Sequence, residues 1–540
     1  MVWIRRVRTT SGATAVQLAE WVGGKRRIVR HVGSAHDEAG LGLLMGEARR
    51  LLVGDSQGEL DLGFEAPVGY APVLGPASAA LVGVPGPKRG RPVRAPRVVR
   101  TFSRVLYEAL AGVYASLGFD QLGDDVFRDL VIARVVEPAS LSATDRVLAG
   151  LGRRSASLST RKRTLKRCWD GRYRGQLARL CFAHASSEGD LSLVLYDLTT
   201  LRTQAEREDG FRRVGFSKDR SVDPQVTVGL LVDREGFPLE IDGFKGNQAE
   251  KHTIVPMIEA FTARHGLGQI VIVADAGMLS AKNLAALDGA RHRFIVGSRM
   301  TKAPIDLASH FRWHGNAFDD GQIVDTVTPK TGRNSDNDAM LKTEPAWDPQ
   351  AHPSSWRAIW AYSAARFARD NKTLTAQENR AKAVVAGEKT KRTPRFVKAS
   401  AGGLSLDVAS IARARKLAGL KGYVTNIPAT LMPAGEVIAR YHDLWHVEQS
   451  FRIFKSDLGA RPFFARKQDA IQAHLTIVFA ALALTRTIQE RSGLTIRRVL
   501  QTLRPLRSAT IRANGVTQTI PPEIDPAQQA LLDTLAQLRH

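Results

Sequence analysis

The sequence predicts an α/β fold: a mixed five-stranded sheet with helices, interrupted by a long insertion and flanked by strand-and-helix and helical regions. Three observations predict it. Between residues 191 and 296, short apolar runs and helical spacing follow one another in a definite order. A long polar stretch, Thr301–Leu420, then breaks that order and reads as irregular. A strand-like run at Gly422–Asn426 and a long amphipathic helix at Pro433–Leu458 resume it. The chain has 540 residues, room for roughly three or four domains.

Composition narrows the class. Hydrophobic residues make up 44 % and charged residues 24 %, which excludes wholesale disorder. Two cysteines, Cys168 and Cys181, cannot build a disulfide framework or a cysteine-rich metal site. No apolar run is expected to reach a membrane span; the longest, Leu475–Leu484, reads as a buried helix. The first residues, Met1–Arg6, lack the apolar core of a secretory signal, so a cytoplasmic location and no membrane partner are expected. Lys and Arg number 77 against 53 Asp and Glu, a net charge of +24. Such a surplus fits a polyanion, because each contact with a phosphate backbone releases a condensed counterion. Charge alone does not separate DNA from RNA, or enzyme from binder.

The N-terminal region, residues 1–84, reads as strands at Val2–Thr9, Ala15–Trp21 and Lys25–Val32, then a helix at Glu38–Leu52. DNA binding is the expected use of this region. Residues 85–100 are basic and punctuated by Pro85, Pro87, Pro92 and Pro96, so they read as an extended linker. Within it Arg89-Gly90-Arg91-Pro92 resembles the core of an AT-hook, which makes Arg89 and Arg91 candidate minor-groove contacts. A solvated basic linker accounts for the same four residues. Residues 101–185 read as helical, with a basic cluster at Arg161-Lys162-Arg163 and Lys166-Arg167, and DNA binding is expected there too.

From residue 186 the order becomes specific. A strand at Leu191–Tyr196 ends at Asp197. Strands Val226–Val232 and Pro238–Gly243 flank the turn Asp233–Gly236 and form a hairpin. A helix at Glu250–Ala263, a strand at Gln269–Ala274 ending at Asp275, a helix at Met278–Leu287 and a strand at Arg293–Val296 follow. Three antiparallel strands followed by alternating helices and strands is the order of the RNase H-like fold. There the first and fourth strands lie side by side and parallel, which would bring Asp197 and Asp275 together. The predicted core therefore occupies residues 186–300 and 421–492, the insertion 301–420, and a tail with a possible oligomerisation role 493–540. The tail reads as helix, turn or hairpin, and helix.

An acid at the mouth of a buried strand faces a cleft on a rigid backbone. Phosphoryl transfer uses two or three such carboxylates to hold divalent ions roughly 3.5–4 Å apart. The helix Pro433–Leu458 offers a third. Its apolar residues Val437, Leu444, Val447, Phe451, Phe454 and Leu458 make one core stripe. Beside them Tyr441, Glu448, Arg452 and Lys455 make a polar stripe, so a carboxylate and two cations share an edge of the core.

The run YHDLWHVEQSFRIFK, Tyr441–Lys455, resembles the Y-x2-R-x3-E-x6-K signature of DDE transposases of the cut-and-paste bacterial insertion-sequence type. Tyr441, Glu448 and Lys455 match, whereas Leu444 stands at the arginine position, which Arg440 or Arg452 would have to replace. The segments LVLYDLTT around Asp197 and IVIVADAGM around Asp275 resemble the two aspartate motifs, and FKGNQAEKHT the stretch between them. The resemblance implies a Mg²⁺-dependent DNA nuclease and strand transferase, with Mn²⁺ able to substitute. Asp197, Asp275 and Glu448 would be catalytic and hold the ions, and Tyr441, Arg452 and Lys455 would contact DNA. A phosphodiester at the transposon end would be hydrolysed, and the freed 3′-hydroxyl would then attack the opposite strand or the target. The implied partners are double-stranded DNA, as terminal inverted repeats and target, and a second copy of the chain in a homodimer on DNA. The insertion would help cradle the end, with Trp313, Trp347, Trp356 or Trp360 available to stack on a flipped base. Two other readings compete: a stand-alone RNase H-like nuclease, and a catalytically silent DNA-binding regulator. His442 and His446 distantly echo a zinc-protease pair, but no third ligand stands out and they are expected to point away from Glu448.

Overall fold

The computed structural model describes residues 2–9, 13–22, 25–35, 41, 44–45, 48, 96–189, 191–203, 208–215, 223–249, 252–278, 280–332, 336–388, 394–400, 403–460, 465, 467–513 and 516–537. Arg89 and Arg91, and most of the expected linker, lie outside the described residues. Residues 1–90 form one compact unit and 91–540 another.

In the first unit β1 (Val2–Arg8), β2 (Thr14–Val22) and β3 (Lys25–Ala35) pair antiparallel in that order. Val16 and Leu18, two apart on β2 and hence on one face, are buried with Ala48 and packed by Leu41 and Leu44.

The second unit opens with a departure from expectation. Arg97–Phe102, across the end of the stretch read as linker and the start of the region read as helical, is a strand, β4. It is held in place by a partner from the far end of the chain, described below. Five helices follow: α1 (Arg104–Ser116), α2 (Asp125–Val136), α3 (Thr144–Gly150), α4 (Leu158–Asp170) and α5 (Tyr173–Glu188). Then come β5 (Leu193–Arg202), β6 (Gln225–Val232), β7 (Pro238–Lys245), α6 (Ile254–His265), β8 (Val271–Ala274), α7 (Ala281–Gly289) and β9 (Arg293–Gly297), the expected order. β5 runs parallel to β8, and β8 parallel to β9, while β5, β6 and β7 are antiparallel.

The stretch Thr301–Leu420 is not irregular. It holds α8 (Ala303–Asp306), α9 (Ala308–Trp313), β10 (Ile323–Pro329), β11 (Ser355–Tyr362), the 22-residue helix α10 (Ala364–Val385), the hairpin β12 (Val397–Ser400) and β13 (Gly403–Leu406), and α11 (Val408–Lys416). With β14 (Leu420–Thr425), strands β10 and β11 extend the core sheet to eight strands, ordered β10-β11-β14-β9-β8-β5-β6-β7. Polarity hid this, because β11 carries Arg357 in its centre. That guanidinium is 1 % exposed yet fully paired, donating to Asp325 at 2.6 Å and to the carbonyls of Ile427 and Met432 at 3.1 and 2.7 Å. A buried charge with such partners is compatible with a central strand.

The expected helix Pro433–Leu458 is three segments: α12 (Ala434–His442), α13 (Leu444–Arg452) and a wide turn with i to i−5 bonding over Ile453–Asp457. The predicted apolar stripe is buried throughout, from Val437 to Leu458. Next, α14 (Gln468–Ser492) is longer than the expected apolar helix and is buried along most of its length. By length and composition it could cross a bilayer, but 89 % of its most apolar stretch is buried inside the protein. α2, α4, α5 and β7 pack around it. The tail contains α15 (Ile496–Leu503), β15 (Ser508–Ala513), β16 (Val516–Ile520) and α16 (Pro526–Ala536). β15 pairs with both β16 and β4, closing a three-stranded sheet across the ends of this unit. Leu531 and Leu535 of α16 are buried, and the helix packs on α1 and α14, so this apolar face of the expected oligomerisation tail is used within the chain.

Candidate active site

Tyr196 and Ala274 are the last paired residues of the parallel β5–β8 ladder. Asp197 and Asp275 follow them directly and so lie side by side where this ladder stops; β5 runs on to Arg202 beside β6, so Asp197, opposite Leu230, stands within its strand and not, as expected, at its end. The strands behind them are rigid: Val194, Leu195, Tyr196, Ile272, Val273 and Ala274 are fully buried. Asp275 is exposed and Asp197 half-buried. The Asp275 carboxylate is fixed through one oxygen: Oδ1 accepts the Ala276 N–H at 2.7 Å and the Tyr441 hydroxyl at 2.8 Å.

Tyr441 reaches Asp275 from α12 because Gly297 ends β9. A Cβ on Gly297 would lie 2.6 Å from the Tyr441 hydroxyl. The ring is buried and sits edge-on to Tyr423, with centroids 5.0 Å apart. Burial first, then the negative charge of Asp275, push the phenol pKa well above its ordinary value, so the hydroxyl stays a donor. Tyr441, expected as a DNA contact, commits its hydroxyl proton to Asp275 in the DNA-free protein.

Glu448 lies two turns further on, about 10 Å along the helical path. Its helix is clamped. Val447 and Phe451 are buried and α13 packs on β5 and β6. The Ser450 hydroxyl donates to the carbonyl of Gly236 at 2.7 Å, and Arg486 donates to Gln449 at 3.0 Å and to the carbonyl of Glu235. Gly236 takes a φ of +89°, which closes the β6–β7 turn beneath the helix. Glu448 itself is exposed.

Lys421 on β14 lies within electrostatic reach of Asp275 and Glu448. Its Nζ stands 4.4 Å from the centre of the Tyr441 ring. Burial and then Arg366 lower its pKa, while Asp275 and Glu448 both raise it. One ammonium thus feels both carboxylates. Lys421 and Arg366 were not identified from the sequence, and no local signal marks them; only the pairing of β14 with β9 and the start of α10 bring them here.

The other expected residues divide. Arg452 is exposed; Lys455 is half-buried in the wide turn, its ammonium 5.9 Å from the centre of the Phe451 ring. Leu444 is a core residue at 9 % exposure, which is why no arginine stands there. Arg440 does not replace it, being held by Glu436 and Asp443 at 3.0 and 3.7 Å. His446 packs by the β6–β7 turn, and His442 stands with its Nε2 3.5 Å from the Tyr423 hydroxyl, where burial first, then Lys421 and Arg366, lower its pKa. Of the four tryptophans considered for base stacking, Trp356 and Trp360 are core residues bonded to Asp288 and Asp306, Trp347 bonds the carbonyl of Ser355, and Trp313 is 48 % exposed. Cys168 and Cys181 are buried and their thiols pushed up, Cys168 to about 12, so neither is a nucleophile.

The sheet order and its crossings are those of the RNase H-like fold, and Asp197, Asp275 and Glu448 would offer oxygen donors alone, the kind that suits hard divalent ions. A family model described as the transposase DDE domain matches residues 188–484. That is more than half of the chain, and the protein belongs to the DDE transposases, enzymes that cut DNA and transfer strands with the help of divalent metals. Among solved structures, a piggyBac transposase in a synaptic complex with hairpin DNA is similar at 8 % identity and a TM-score of 0.35, over 74 % of this chain and 70 % of that one. No curated protein matches the sequence.

Proposed function

We propose that this transposase acts through Asp197, Asp275 and Glu448, with Mg²⁺ as the working ion and Mn²⁺ as a substitute. Its substrates would be the terminal inverted repeats of an insertion sequence and then target DNA, engaged by a homodimer in the cytoplasm. The single observation that carries the catalytic assignment is the β5–β8 register, with Tyr441 bridging from the Glu448-bearing segment to Asp275.

The three carboxylates would hold the ions. When bound, the ions supply Lewis-acid activation of the attacking oxygen and neutralise charge at the leaving one. The chain's own side chains do the rest. Tyr441 fixes the rotamer of Asp275 and keeps its Oδ1 out of competition. Lys421 and Arg366 set a positive wall beside the acids, where phosphate oxygens gather charge during displacement. Arg452, exposed at the end of α13, and Lys455 in the next turn are placed to grip the backbone flanking the scissile phosphate.

Nicking of end-bearing duplex DNA tests the assignment. Wild-type protein should nick with Mg²⁺ or Mn²⁺ and not with EDTA, and Asp197→Ala and Glu448→Ala should each abolish nicking while still binding the duplex. Nicking left intact in both variants would sink the triad. Light scattering on the DNA complex reads the dimer.

A further inference from the structure

Away from the carboxylates, α9 carries a second donor set. His310 lies in its last turn and His314 caps it, four residues apart on one face, with the His314 N–H bonded to the His310 carbonyl at 2.8 Å. Glu344 approaches from the segment between β10 and β11, its Oε1 2.7 Å from His310 Nδ1. One ligand atom from each of His310, His314 and Glu344 lies within 4.8 Å of the other two.

His310 is built in rather than draped on the surface. It is 3 % exposed, and its ring is stacked on Phe318 with centroids 4.7 Å apart. Its Nε2 is buried with no hydrogen-bond partner among the described residues. A cation would replace the His310–Glu344 hydrogen bond: Nδ1 would present its lone pair to the ion beside the Glu344 carboxylate and His314, and the ring proton would sit on Nε2.

We propose that His310, His314 and Glu344 form a site for a borderline transition-metal ion of the Zn²⁺ type, separate from the carboxylate cluster. Two imidazoles and one carboxylate select such an ion over Mg²⁺. The fourth position belongs to water. Its task is structural. The described part of the loop, residues 336–354, has no helix or strand of its own, and Asn337, bonded to Thr326 at 3.0 Å and to the Asp306 carbonyl at 2.5 Å, pins one end. A metal at Glu344 would pin the middle to α9, the helix that presents the exposed Trp313.

The test uses full-length protein free of affinity tags, loaded with ZnCl₂ and gel-filtered. One zinc per chain should remain, with X-ray absorption showing two imidazole ligands, a signature that a carboxylate triad cannot give. Zinc should slow proteolysis within residues 336–354. His314 is exposed, so His314→Ala should fold normally, confirmed by circular dichroism, and retain roughly tenfold less zinc, or lower still. Glu344→Gln should weaken retention and leave the loop as protease-sensitive as in metal-free protein. Equal retention by wild type and His314→Ala, or a spectrum without imidazole, would overturn the site.

Discussion

The hydroxyl of Tyr441 holds the Asp275 carboxylate as a group in the outer shell of a metal site does. It contacts no ion, yet it decides which rotamer the aspartate keeps. Tyr441→Phe should therefore preserve the fold and DNA affinity but lower nicking by about 10–100-fold, with more Mg²⁺ needed for half-maximal rate. A Mg²⁺ titration of nicking checks this; an unchanged midpoint and rate would refute it. The spacing of Tyr441, Glu448 and Lys455 was legible in the sequence as a polar stripe, whereas the use of Tyr441 was not. A tyrosine on such a stripe looks like a surface residue until Gly297 is known to leave room for its hydroxyl. Lys421 was illegible for a similar reason: its neighbours come from sheet pairing, not from adjacent residues.

At the scale of elements, α13 depends on one buried contact that its apolar pattern does not show. Ser450→Ala removes the donor to the Gly236 carbonyl and leaves that acceptor unpaired. The expected loss is about 1–3 kcal/mol, measured by denaturant unfolding, with nicking reduced further because Glu448 loses its anchor. A second test concerns the edge of the sheet. Asp306, fully buried and bonded by the Trp360 indole N–H at 3.1 Å, has its carboxyl pushed up to about 7 by burial. The folded value lies above the unfolded one. Its contribution to stability is thus complete below the ordinary carboxylate range, and it is lost as pH rises toward about 7. Thermal unfolding across that window should show wild type losing stability relative to Asp306→Asn as pH climbs, with the gap constant above it. A gap independent of pH would contradict the shift. The apolar stripe from Val437 to Leu458 was readable and is buried; the junction at Asp443 and the wide turn at Ile453–Asp457 were not, since regular spacing continues across both.

For the whole molecule, the charge of +24 was the clearest global signal, and it pointed to a polyanion without separating DNA from RNA. It also sets a salt response. If six or more phosphates are contacted, affinity for duplex DNA should fall by about 10³ or more between 50 and 200 mM salt, read by fluorescence anisotropy. A flat response would mean that the surplus charge serves solubility alone. The five-strand core order was legible because each strand is a clean apolar run. The strand that became β14 was legible too, at Gly422–Asn426, but the extension by β10 and β11 was not, because Arg357 broke the pattern of β11 while being fully paired in space.

That α13 and the central helix α14 both follow Asp197 and Asp275 by well over a hundred residues has a bearing on how such a protein is made. Translation at roughly 5–20 residues per second leaves a nascent chain for on the order of ten seconds with its aspartates in hand but no glutamate to complete them. On the proposed triad, scission is among the last competences the ribosome confers, and half-made copies would not nick DNA. A frameshift anywhere ahead of α13 leaves a gene product that cannot cut.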